Sequence, residues 1–89
     1  MSALESVEPD YRIDVLRADF DRDLRIALQH RRAANTRAMW AREAERMGQL
    51  EAYRKLRDAA KECRRRARAW LKGARWKRDE INWIELRHV

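Results

Sequence analysis

Between residues 53 and 74 the apolar and small side chains fall at Tyr53, Leu56, Ala60, Cys63, Ala67, Trp70 and Ala74, in steps that alternate three and four. That spacing holds one face of an α-helix against a partner helix along its whole length. A second row, Arg54, Arg57, Lys61, Arg65, Arg68, Lys72, Arg75 and Arg78, follows the same rhythm about 100° further round. It would run roughly 36 Å at 1.5 Å per residue. One helix is thus expected to carry both a packing seam and a cationic face.

Composition points the same way. The chain has 89 residues, enough for one domain with a small core that association would help to stabilise. Charged residues make up 42% and glycine plus proline only three positions, the balance of long helices or coiled coils. High charge can also signal disorder. Four tryptophans and the regular apolar spacing argue against it. The net charge of +7 is uneven: residues 1–30 hold seven acids against four arginines, and residues 31–89 hold eighteen bases against eight acids. Such asymmetry suits an acidic partner or lets the first part of the chain pack on the second.

Along the chain, residues 1–9 read as a flexible arm that ends at Pro9, with Asp10 placed to cap or open a helix. Ile13, Leu16, Phe20, Leu24, Ala27 and Leu28 continue as a helical apolar row, with Arg17–Asp21 and Asp21–Arg25 at ion-pair spacing. Beyond it the apolar side thins to Ala34, Ala38 and Ala41, which would let another backbone come close. A continuous helix is preferred over a break at Asn35-Thr36. Gly48 is the expected reversal, because the apolar frame changes there and glycine supplies the left-handed conformation past a helix end. A helix continuing through Gly48 is the alternative, at a cost of about 1 kcal/mol relative to alanine. Ala74 carries the seam past Gly73, so the second helix should reach Arg78. Asp79 would then cap a short helix presenting Ile81, Trp83, Ile84 and Leu86. The expected fold is all-α: an antiparallel coiled-coil-like hairpin of helices 10–47 and 49–78 with a short C-terminal helix over 79–88. It should dimerise through the seam or the Ile81–Leu86 patch.

Catalytic apparatus is not legible. Asp19, Asp21 and Asp23 have the opening spacing of a calcium loop, but Leu24 and His30 stand where that loop needs glycine and glutamate. They read as solvated ion-pairing residues. His30, His88 and Cys63 lack zinc-ligand spacing, and a single cysteine on the seam reads as a small buried hydrophobe. No cofactor and no enzyme activity are expected. No apolar stretch approaches a membrane span and no signal peptide is apparent, so a cytoplasmic protein is expected.

The remaining signal is basic. Arg54, Arg57, Lys61, Arg64, Arg65, Arg66, Arg68, Lys72, Arg75, Lys77 and Arg78 are the candidate contacts to nucleic-acid phosphate. Trp70, Trp76 and Trp83 are candidates for stacking on bases or anchoring an interface, although Trp70 also lies on the seam and suits the core. The competing reading is a regulator or inhibitor that docks a Trp/Arg-rich helical face on an acidic protein surface. A third reading has the arginines covering the seam with their methylene stems and pairing with Asp14, Asp19, Asp21 and Asp23.

Overall fold

A computed structural model describes residues 9–87 of the chain. The expected arm, apart from Pro9, and His88 lie outside the described residues. Two α-helices account for the structure, α1 (Pro9–Arg46) and α2 (Leu50–Arg87). Each has 38 residues, about 57 Å of helix, and the molecule measures 60 × 23 × 15 Å. The two therefore lie side by side over their full lengths, as the hairpin reading requires.

Gly48 makes the reversal. Its φ of +75° places it in the left-handed region, where an added side chain would be strained. Two crossed hydrogen bonds close the helix end: the Gln49 amide donates to the Ala44 carbonyl at 2.8 Å, and the Gly48 amide to that of Glu45 at 3.0 Å. This is a Schellman motif. The Tyr53 amide then donates to the Gln49 carbonyl at 2.9 Å, so α2 begins without an intervening loop.

Pro9 opens α1, where its missing N–H costs nothing, and Asp10 supplies the first-turn acid. The helix runs unbroken past Asn35-Thr36. α2 likewise passes through Gly73 and does not stop at Arg78, so the separate C-terminal helix is corrected to the last turns of α2. The reason is the seam itself. It continues beyond Ala74 through Lys77, Ile81 and Ile84, and a lysine at one seam position hid the continuation. Asp79 caps nothing and instead lies 3.4 Å from Arg78.

Counting back from the turn, α1 presents Ile13, Leu16, Phe20, Asp23, Ala27, His30, Ala34, Arg37, Ala41 and Ala44 to α2, again in steps of three and four. All ten are buried or half-buried. The core is bulky only at the open end, where Leu16, Ile81 and Ile84 form a buried cluster with Ile13 against it. Beyond that cluster the buried apolar residues are all alanine: Ala27, Ala34, Ala41, Ala44, Ala60 and Ala74. Small residues let the backbones approach closely but give little apolar area.

Three expectations change. Leu24 and Leu28 are not on the seam; Asp23 is, and it is buried. Arg17 bonds across the hairpin to Glu85 at 2.7 Å, not to Asp21 on its own helix. Ile81 and Ile84 pack inside the chain, and the seam is filled by the chain's own first helix. Of the expected Ile81–Leu86 patch, Trp83 and Leu86 stay exposed.

Candidate functional site

The antiparallel register lays residues 24–37 beside residues 60–73, in the middle of the rod. These two stretches together hold ten cations (Arg25, Arg31, Arg32, Arg37, Lys61, Arg64, Arg65, Arg66, Arg68 and Lys72) and one acid, Glu62. The neighbouring stretches are close to neutral. Residues 10–23 with 74–87 carry seven cations and eight acids, and residues 38–59 carry five cations and four acids. The positive charge is therefore a band about 21 Å long rather than a row along the length of α2. Nine of the ten cations are exposed, and Arg37 is half-buried with its Nη1 donating to the Ala33 carbonyl at 3.3 Å.

Pairing divides the basic residues of α2 into two groups. Lys77 is withdrawn from the surface by an ion pair with buried Asp23. Arg65 and Arg66 share Glu62, with Nε to carboxylate distances of 2.9 and 3.1 Å. The Arg65 guanidinium, with Arg66 behind it, holds the Glu62 carboxyl down at about 2. Arg57 lies 3.7 Å from Asp58, and Arg78 3.4 Å from Asp79. Arg54, Lys61, Arg64, Arg68, Lys72 and Arg75 have no acid within ion-pair distance among the described residues, and neither do Arg25, Arg31 and Arg32 of α1. The acids of α1 do not neutralise this surface. Among them only Asp23 reaches a cation of α2.

One side of the band has an apolar floor. Leu24, Ala27 and Leu28 of α1 and Ala67 and Leu71 of α2 line a groove of about 460 Å³, rimmed by Arg31, Asn35, Arg64 and Arg68. The sequence reading missed Arg25, Arg31, Arg32 and this groove. The signal for Arg31 and Arg32 is the run HRRAANTR, which, like Arg25, joins the basic row only once the chain folds back on itself.

No tryptophan lines this groove, and only Trp70 falls within the band. Trp40, Trp76 and Trp83 are about half exposed, and Trp70, on the seam, is 37% exposed. Trp76 and Trp83, seven residues apart, share one side of α2, and Arg87 lies over the Trp83 ring at 4.6 Å. No group of three His, Cys, Asp or Glu side chains able to hold a metal occurs among the described residues. No described helix is long and apolar enough to cross a membrane. Comparison with protein-family models, curated proteins and solved structures finds no match for this chain.

Proposed function

We propose that this chain is a small non-enzymatic binding protein that holds nucleic acid against its cationic midsection. The observation that carries the reading is the excess of ten cations over one acid within about 21 Å of rod, most of those cations unpaired. Unpaired cations attract phosphate without first giving up an internal partner, and guanidinium groups can meet it with two parallel hydrogen bonds. The contacts are Arg25, Arg31, Arg32, Lys61, Arg64, Arg68 and Lys72, flanked by Arg54 and Arg75.

Titration of duplex DNA, duplex RNA and single strands at several salt concentrations tests the reading. Neutralising four to six phosphates gives a log–log salt slope of about −3 to −5. Reversing charge at Arg64, Arg68 and Lys72 should abolish binding with helicity unchanged, and reversal at Arg46 and Lys55 should not. Absence of binding below ~100 µM at physiological salt removes the proposal, since non-specific binders usually reach 10⁻⁴–10⁻⁶ M.

A second reading, a regulator docking on an acidic protein, draws support from the exposure of Trp40, Trp76 and Trp83, because tryptophan and arginine dominate interface hot spots. Homodimerisation and a cytoplasmic location belong to the same set of proposals. A dimer would use Trp76, Trp83 and Leu86, which are exposed, in place of the occupied seam.

A further inference from the structure

In the middle of the hairpin three leucines stand beside the seam. Alanine holds half of the seam positions there (Ala27, Ala34, Ala60 and Ala67), while Leu24, Leu28 and Leu71 line the groove on one side of it, with Leu28 43% exposed. Two helices that touch through alanine leave a furrow between their cylinders, and a third helix laid in it completes a three-helix packing. From Leu24 to Asn35 the furrow runs about 16 Å, or three turns of such a helix.

The rim specifies the occupant's charge. Arg31 on one bank and Arg64 and Arg68 on the other have no acid partner among the described residues. Two copies pressed groove to groove would bring like charges together, which disfavours a second copy as occupant. We infer that the groove is a docking site for an acidic amphipathic helix of a partner protein. Leucine-type side chains at i, i+3/i+4 and i+7 of that helix enter between Leu24, Leu28 and Leu71, and flanking carboxylates meet Arg31, Arg64 and Arg68. The inference goes beyond nucleic-acid binding and does not rest on it. Because both ligands would use Arg64 and Arg68, the helix would also displace nucleic acid from that side of the band.

The test titrates the full chain with three labelled synthetic peptides of about 18 residues. One carries leucines at the stated spacing with flanking glutamates, the second has lysines for the glutamates, and the third has serines for the leucines. Binding of the first with at least tenfold preference over both others is the expected result. Leu28→Asn, at an exposed position that the fold tolerates, should weaken it about tenfold or more, as should the pair Arg64→Glu and Arg68→Glu. Circular dichroism on each variant confirms that the hairpin is retained. Equal binding of the glutamate–serine peptide would mean simple attraction between opposite charges and would overturn the inference. So would absence of binding by the glutamate–leucine peptide, or a Leu28-dependent dimer by sedimentation, which would make a second copy the occupant. The peptide titration reads the groove alone, whatever the nucleic-acid titrations give.

Discussion

The ammonium of Lys77 on α2 sits on Oδ2 of Asp23 on α1, and both groups are largely out of water: the side chains are 18% and 2% exposed. Arg22 adds a second contact, its Nη2 lying 3.2 Å from Asp23 Oδ1. Gly73 lies alongside, and a Cβ there would stand 3.4 Å from the same Oδ2. This ion pair lies at the boundary between the apolar cluster of the open end and the alanine middle. A one-turn slip of α2 along α1 would take Lys77 away from Asp23, so the pair is suited to setting the register of an otherwise repetitive seam.

Removing one partner should therefore cost much more than removing both. Lys77→Met leaves a buried carboxylate with only the Arg22 contact and should lose up to about 3–5 kcal/mol. The double variant Asp23→Leu with Lys77→Met should be neutral or gain about 1–4 kcal/mol, with a broader set of registers. Urea unfolding of the single and double variants measures both, and equal losses in the two would remove the register role.

Stability should fall in acid, partly through this site. The Lys77 hydrogen bond and charge, with help from Arg22, lower the Asp23 pKa against the opposing effect of burial. A depressed folded-state value means that the stabilisation is present above the unfolded value, about 3.9, and is lost as pH falls through the folded one. Unfolding free energy should be nearly flat from pH 7 to 5 and decline below about 4. The double variant should lack part of that decline. Glu62 titrates in the same direction, but it lies at the surface, where its contribution should be small and fade in salt.

The two glycines should respond oppositely to alanine. At Gly48 an added Cβ meets nothing within 4 Å, yet φ is +75°, so Gly48→Ala should cost about 1–2 kcal/mol for conformation alone. Gly73 lies within α2, and Gly73→Ala should recover up to about 1 kcal/mol of helix propensity. Its nearest obstacle is the ordinary contact with Asp23. Thermal melts of both variants give the signs directly.

Core truncations should rank by position along the rod. Ile84 is fully buried in the apolar cluster, and Ile84→Ala should lose about 2–5 kcal/mol. Trp70 is over a third exposed, so the full-burial loss of about 3–5 kcal/mol for Trp70→Ala does not apply. A loss of about 1–2 kcal/mol is expected in its place. The reverse order in chemical denaturation would place the stabilising core in the middle instead of at the open end.

The sequence by itself determined the two helices as far as Arg78 and the reversal between them. Tyr53, Leu56, Ala60 and Cys63 repeat with enough regularity to define a seam. Gly48 stands where the frame changes, and no proline interrupts either helix. These are local properties, set by backbone conformation and by periodicity along one cylinder. What the seam faces is not local. On α1, Asp23, His30 and Arg37 recur every seven residues among alanines, and a search for apolar rows takes Leu24 and Leu28 instead. Only the docked second helix decides that the aspartate goes in and the leucines stay beside the seam, because Lys77 arrives opposite to compensate the charge. The same holds for the basic residues. Read along α2 they form a row from Arg54 to Arg78; folding adds Arg25, Arg31 and Arg32, withdraws Lys77, and leaves the ends balanced by acids. A band of charge exists only once two stretches far apart in the chain lie side by side, since electrostatic potential sums over space and not over sequence.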